Sequence, residues 1–470
     1  MPDRLPALDA ALLYGEQPST PMHVGSVAVF ERRSGDFDFD TAMQVIGQRL
    51  DYLPRYRKRL LPVPGHLAPP VWTDDVDFDL GYHVRRSALP APGSDHQLFD
   101  LVARLMQRPL DRERPLWEAY YIEGLEGDRV ALVTKAHQVL VDGARTVDLA
   151  QVLLDEGAAD RTPAEGEWTP RRMPGWSRLV TDAITDAATR PAELARNVRF
   201  LAEDVVSGLG RTARTAGSFA AAARSATAPA RTGPARRLNS RVSGGRVFAG
   251  VRTDLDSFKL IRAARDCTVN DVIFTVLTGA LRKWLESRGQ HVPPSASVRA
   301  LVPTALQHED AEFSPAELTT SRLVPYLIDL PVGEPAPMLR LQHVAHEMAE
   351  QFGSDRPVTA RTMVKMGGFA PATMNALAAR VAGSLPRRGF NVLIANTPGP
   401  QESLYAGPGR LSAIYPVLPL GRDQSLAVGV TSYQGDVYFG LNGDRKAMHD
   451  VDVLADMIEE SLEELRGNKW

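Results

Sequence analysis

The sequence predicts an α/β protein built as two lobes, and three observations carry that prediction. Short β-like runs alternate with helical patterns from Pro21 to about Glu156, and the same mixture returns from about Val247 onward. Between them lies a stretch from which large apolar residues nearly vanish. A chain of 470 residues with 44% hydrophobic content can bury the cores this arrangement needs. Charged residues make up 24% and the formal net charge is -3, so no global field recruits nucleic acid, which is not expected as a partner.

The first lobe, expected over 1–160, begins with the strand pattern "HVGSVAVF" and the helical pattern "DTAMQVIGQRL". The strand "RVALVTKA" and the helical run "VDLAQVLLD" follow. Near Gly157 the chain changes to "GAADRTPAEGEWTPRRMPG", whose Pro, Gly and charge mark a linker. A connecting region is therefore expected over 161–245. In it Trp176, Leu179, Val180, Ala183, Ile184 and Ala187 share one helical face, and Leu194, Val198, Leu201 and Val205 repeat that spacing after Pro191. A low-complexity connector then carries Arg211, Arg214, Arg224, Arg231, Arg236, Arg237 and Arg241 among small residues. Amphipathic faces beside these arginines suggest weak peripheral attraction to a membrane or lipid-droplet surface.

The second lobe, expected over 246–470, has a helix after "TVNDV" and strands at "SVRALVP", "RLVPYLIDL", "FNVLIANTPGP", "SLAVGVTSY" and "DVYFGLNGD". Its closing helix places Leu454, Ile458, Ser461 or Leu462, and Leu465 on one face. The apolar segment Met366 to Leu385 carries Asn375 and Arg380 and reads as a buried helix rather than a membrane span. Cys267 is the sole cysteine and cannot close an internal disulfide, and "MPDRLPALDAALLYGEQP" lacks a basic start followed by an apolar core. A cytoplasmic setting is the expectation.

The stretch "VTKAHQVLVDGAR" reads as a strand delivering His137 and Gln138 to its end, a turn closed by Asp142-Gly143, and a helix starting near Arg145. Alone, it fits either a β-turn-α corner with a hydrogen-bonded histidine or an active-site corner. Other segments bear on the choice: "PLDRERPLWEAYYIEGL", "TVNDVIFTVLTGALRKWL" and "ANTPGPQESLYAGPGRLSAIYPVLPL", with "PSTPMHVGSVAVF" near the start and "TSYQGDVYFGLNGDR" near the end. In that order and spacing, the chain resembles the bacterial wax ester synthase/acyl-CoA:diacylglycerol acyltransferase family nearly end to end. That family belongs to the CoA-dependent acyltransferases related to chloramphenicol acetyltransferase and to peptide-synthetase condensation domains.

The resemblance implies two chloramphenicol acetyltransferase-like lobes joined by a crossover, with an active-site tunnel between them. It implies a long-chain acyl-CoA substrate, a lipid acceptor and no bound cofactor. The family signature is two histidines, three variable residues and Asp-Gly, and its second histidine is the general base. Here that residue is Gln138. Relatives also usually carry an Arg after the Val-Pro strand and a Gly-Asn pair further on, where this chain reads "VPTALQHEDAEFSPAELTTSRLVPY".

A glutamine offers one acceptor oxygen and two donor hydrogens, so it can orient an acceptor or stabilise an oxyanion, but it cannot take a proton. Gln138 and His137 are the candidate catalytic residues, His137 as a substitute base hampered by strand alternation. The resemblance makes Asp142 structural, paired with an Arg, while Gly143 lets the turn close. Pro115, Leu116 and Trp117 carry no ionisable group and are expected to shape the lobe. Asn270 and Asp271 either cap a helix or line the tunnel. The cluster Arg55, Arg57, Lys58 and Arg59 is expected to be a solvated basic face rather than a site for CoA phosphates or lipid headgroups. His23, His83, His343 and His346 complete no metal-ligand spacing with Cys267, and no metal is expected. The leading reading is acyl transfer to diacylglycerol or a fatty alcohol. Its rivals are a catalytically silent acyl-CoA or lipid-binding homologue, and an enzyme acting on an amine or a carrier-bound acyl group.

Overall fold

Strand β1 (His23–Glu31) is buried along its length except at its last residue, because it lies inside a sheet with a neighbour on each side. The computed structural model describes residues 3–32, 37–141, 148–156, 168–189, 234–307, 323–352, 356–357, 373, 377–380, 382 and 389–467. A two-stranded ribbon follows β1, made of β2 (Lys58–Leu61) and β3 (Val71–Asp74). Strand β4 (Val84–Ala88) lies parallel to β5 (Trp117–Leu125), which runs antiparallel to β6 (Arg129–His137). Strand β6 in turn pairs with β1 so that His137 stands opposite His23. Gly25 permits that pairing: a Cβ there would lie 2.0 Å from the Thr134 carbonyl oxygen.

The second lobe is a seven-stranded sheet containing β7 (Arg246–Asp254), β8 (Val298–Gln307), β9 (Leu323–Leu330), β10 (Arg356–Pro357), β11 (Val392–Thr397), β14 (Leu426–Tyr433) and β15 (Asp436–Asp444). Strand β11 runs parallel to β8 and β14. The two strands between β11 and β14 leave this sheet. Strands β12 (Tyr405–Ala406) and β13 (Gly409–Val417) complete the first sheet, in the order β12-β13-β1-β6-β5-β4. A linear division at 160 and 245 does not express this crossover, since alternation marks 409–417 as a strand without naming its neighbour.

Among the described residues the helices are α1 (Ala7–Gly15), α2 (Phe39–Arg49), α3 (Leu80–His83), α4 (Asp95–Gln107), α5 (Leu149–Leu153), α6 (Trp176–Thr189), α7 (Leu255–Ala264), α8 (Val269–Ser287), α9 (Pro337–Phe352) and α10 (Val451–Gly467). Helix α4 starts at a capping box between Ser94 and Gln97 and buries Leu98, Phe99, Val102, Leu105 and Met106. Helix α8 starts at a second box between Thr268 and Asp271. It is buried on nearly every side because α9 and α10 both pack on it. A Cβ on Gly279 would lie 2.2 Å from Ser461 Oγ, which explains how a serine sits on the buried face of α10 with Leu454, Ile458, Leu462 and Leu465. Each lobe has its own core, one around Phe30, Tyr121 and Val133, the other around Phe258, Trp284 and Phe439.

Helix α6 begins at Trp176 as the apolar spacing predicts. Leu179 is buried against Val63 and Val71, while Trp176 stays 69% exposed. Leu194, Val198, Leu201, Val205 and the arginines from Arg211 to Arg231 lie outside the described residues. Within Met366–Leu385, Thr373, Leu377 and Arg380 are helical and buried. No helix among the described residues is long and apolar enough to cross a membrane.

The basic cluster departs from the sequence expectation. Arg55 is buried over the Trp72 ring at 5.2 Å and lies 3.5 Å from Asp3. Arg57 pairs with Asp51 at 2.8 Å and Lys58 with Asp74 at 3.6 Å, while Arg59 donates to the Glu113 carbonyl at 3.1 Å. The ribbon and neighbouring segments place acidic, carbonyl and aromatic partners under these side chains, so they are engaged structural cations and not a solvated face.

Candidate active site

His137 is the last residue of β6, and Gln138 opens the turn after it, closed by a hydrogen bond from the Leu140 N–H to the His137 carbonyl at 2.9 Å. Strand alternation therefore stops before Gln138. Two backbone bonds fix the corner: the His137 N–H donates to Leu116 O at 2.9 Å, and the Gln138 N–H donates to Met22 O at 3.0 Å. The Gln138 side chain is 0% exposed, and among the described residues neither its Oε1 nor its Nε2 has a hydrogen-bond partner. Leaving such a group unsatisfied costs about 1–3 kcal/mol.

His137 Nδ1 accepts from the Val139 N–H at 3.2 Å, so a neutral ring carries its hydrogen on Nε2. That atom faces Glu16 Oε2 at 3.6 Å. Glu16 also accepts from the Met22 N–H at 3.0 Å and from Arg112 Nη2 at 2.7 Å. Burial alone would raise the Glu16 carboxyl, but His137, Arg112 and the Met22 N–H together hold it well below the ordinary carboxylate range. His23 completes the group. Its Nδ1 donates to Met106 O at 3.2 Å and its Nε2 lies 3.8 Å from Glu16 Oε1. Burial, then the nearby Lys135 and His137, push the His23 pKa well down.

Pro115, Leu116 and Trp117 are buried directly beside this corner. The Trp117 indole N–H donates to Tyr56 O at 2.8 Å, and His83 stacks on the ring at 4.6 Å while its Nδ1 donates to Trp117 O at 2.8 Å. Leu116 supplies the carbonyl that receives the His137 N–H. Asp142 and Gly143, and the expected helix start near Arg145, lie outside the described residues. What flanks them is described. Arg380 Nη1 donates to Val141 O at 3.1 Å and its Nη2 pairs with Asp9 at 2.8 Å, while the Asp148 N–H donates to Thr373 Oγ1 at 2.8 Å.

Asp148 caps α5 through a bond from the Ala150 N–H at 2.9 Å, and among the described residues its Oδ2 has no hydrogen-bond partner. Burial raises its pKa from 3.8 to about 6. The folded state thus resists ionisation that the unfolded chain undergoes freely. Stability should fall as pH rises from about 4 to about 6 and stay level above that, a loss of about 3 kcal/mol. Asp148→Asn keeps the cap oxygen and removes the charge, so it should raise the melting temperature at pH 8 and leave it unchanged at pH 4. Equal melting of both proteins at pH 8 would refute this assignment.

Asn270 and Asp271 separate in role: Asp271 accepts from the Thr268 N–H at 2.6 Å, closing the α8 capping box, while Asn270 Oδ1 accepts from Asn396 Nδ2 at 2.9 Å and ties the helix start to β11. His343 and His346 are exposed on α9, and the described residues contain no His, Cys, Asp and Glu group able to hold a metal ion. At the far end of β1 and β6, Glu31, Asp95, Arg129, Arg252 and Tyr415 line a cleft between the lobes. Sequence reasoning missed Glu16, Arg112, Asp148 and Arg380. The contacts that bring them to the corner are mostly long-range, as when Arg380 meets Val141 across 239 positions, and no local spacing announces those.

Residues 5–273 match the family model described as the wax ester synthase/diacylglycerol acyltransferase catalytic domain, and residues 323–466 match the C-terminal domain of the same family. The chain belongs to the wax ester synthase/diacylglycerol acyltransferase family. The probable diacylglycerol O-acyltransferase tgs1 of Mycobacterium tuberculosis is 31% identical over 471 residues, covering 98% of this chain and 96% of that one. The probable diacylglycerol O-acyltransferase tgs3 of the same organism is 41% identical over 267 residues, 57% of this chain and 98% of its own. The wax ester synthase/diacylglycerol acyltransferase from Marinobacter aquaeolei VT8 superposes with a TM-score of 0.67 at 27% identity, covering 99% of both chains. The first condensation domain of the CDA synthetase, at 12% identity and a TM-score of 0.55, covers 99% of this chain and 96% of its own and shares the fold alone. The two-lobe α/β fold is thus that of this family and is shared with condensation domains.

Proposed function

We propose that this protein transfers an acyl group from a long-chain acyl-CoA to the hydroxyl of a diacylglycerol or fatty alcohol, and does so slowly. Family membership supports the reaction class, and the names of the mycobacterial and Marinobacter relatives support the acceptors. The observation that carries the reading of the site is the Gln138 carboxamide, fully buried with both polar atoms unsatisfied by the described residues. A substrate would satisfy it. As the acceptor oxygen attacks the thioester carbonyl, Oε1 can accept a hydrogen bond from its O–H and Nε2 can donate to the developing oxyanion; the adduct then collapses with cleavage of the C–S bond, and the hydroxyl proton passes to the departing CoA sulfur, leaving the ester and free CoA thiol. The rate then rests on proximity and oxyanion stabilisation, without the roughly 10²–10⁴ that a positioned base contributes. His137 is poorly placed to substitute, with Nδ1 receiving the Val139 N–H and Nε2 facing Glu16.

Gln138 also favours a second reading, in which the acceptor is an amine. A neutral amine attacks through its own lone pair and needs no prior proton removal. The experiment is thiol release from acyl-CoA against a panel of alcohols, diacylglycerols and amines. For amines the rate should rise with pH until the free base predominates, with no step near the unperturbed histidine pKa of about 6.5. Acyl-CoA binding without release of CoA thiol in the presence of any acceptor would overturn both readings in favour of a silent lipid-binding homologue. A peripheral position at a lipid surface is part of the proposal, supported by exposed Trp176 beside exposed Arg171, Arg172 and Arg178. Flotation with vesicles that ignores their anionic content and salt would remove it.

A further inference from the structure

We infer that Glu16 is a positioning residue that sets the geometry of Gln138 from behind, an inference that rests on the acyl-transfer reading above. A carboxylate with only 10% of its side chain exposed is costly unless it is well compensated, and this one is surrounded. One oxygen takes the Met22 N–H at 3.0 Å, the other takes Arg112 Nη2 at 2.7 Å, and the His137 Nε2–H stands at 3.6 Å. Arg112 is tied in turn to Leu13 O at 2.9 Å, so the cation bridges the end of α1 and the carboxylate.

The consequence lies one bond further on. Met22, held through its N–H by Glu16, uses its carbonyl to accept the Gln138 N–H at 3.0 Å. His137, whose Nε2 faces Glu16, uses Nδ1 to accept the N–H of Val139. Glu16 therefore controls the residue that grips the Gln138 backbone and the ring that grips the residue after it. The direction in which the Gln138 side chain leaves the turn follows from those two grips. No atom of Glu16 needs to touch substrate for this to matter, because a misplacement of about 1 Å can cost roughly 10²-fold in rate.

A double-mutant cycle separates positioning from general support of the fold. Thiol release from acyl-CoA is measured in wild type, Glu16→Gln, Gln138→Ala and the double variant. Glu16→Gln should lower kcat at least tenfold with little change in KM for acyl-CoA, and should lower it by less than threefold when Gln138 is already alanine. The same fold-loss in both backgrounds would overturn the inference and make Glu16 a fold residue. A second readout does not depend on turnover: hydrogen exchange at the Gln138 amide should speed at least tenfold in Glu16→Gln while core amides of β5 keep their rates. An unchanged Gln138 amide would also overturn it. If Glu16→Gln does not fold, Glu16→Asp, which keeps the charge beside Arg112 but withdraws it from Met22, should show the same pattern more weakly. Fast exchange in the variant together with a wild type that never turns over would defeat the transfer reading and leave the positioning role standing.

Discussion

Gln138→His raises acyl transfer to an alcohol at least tenfold, the largest gain expected from any single change in this protein. The substitution restores a group with an accessible pKa at a backbone position pinned by Met22, next to a His137 pinned by Leu116. A base in place contributes about 10²–10⁴, and a tenfold floor allows for an imidazole that is imperfectly aligned. The pH profile identifies the cause. The variant should lose rate as pH falls through the histidine range, because a protonated imidazole cannot accept the alcohol proton, whereas the wild type should show no such step. The measurement is thiol release with hexadecanol or diacylglycerol from pH 5 to 9. A folded variant with no gain would mean that the pocket no longer presents acceptor and thioester to residue 138 at all.

Arg380→Ala costs about 3–5 kcal/mol of stability, the largest loss expected. Arg380 is 2% exposed and pairs with Asp9 at 2.8 Å while donating to Val141 O at 3.1 Å. Removing it takes a cation from a buried carboxylate and the donor from a buried carbonyl beside Gln138. Arg380→Lys, which keeps the charge but cannot reach both partners with a planar fork, should recover only part of the loss. Urea unfolding measures it through the midpoint. A change below about 1 kcal/mol would show that the first lobe does not depend on this bridge from the second half of the chain.

The elements read from periodicity correspond well to the folded chain where it is described. "HVGSVAVF", "RVALVTKA", "SLAVGVTSY" and "DVYFGLNGD" are strands, and the closing helix buries Leu454, Ile458 and Leu465. Apolar spacing is a local property that survives into the fold because each element has to bury one face. The basic cluster at 55–59 departs from its expectation for the complementary reason: whether an arginine is solvated depends on what lies beneath it, and Trp72 and Asp74 reach it through the β2–β3 ribbon and Asp51 through the turn before it.

By itself the sequence determined the two α/β lobes, the family through its ordered motifs, and the chemical limit at residue 138, since no fold can give a carboxamide a usable basic pKa. Tertiary structure alone decided that 409–417 completes the first sheet, that Gln138 lies in a turn beyond the strand with its amide unsatisfied, and that Glu16, Arg112 and Arg380 converge on the motif from distant parts of the chain. Strand partnership and buried ion pairing are set by which surfaces meet in space. The alternation that makes a strand is blind to its neighbour, and the spacing of charges along the chain carries no record of their separation once it has folded.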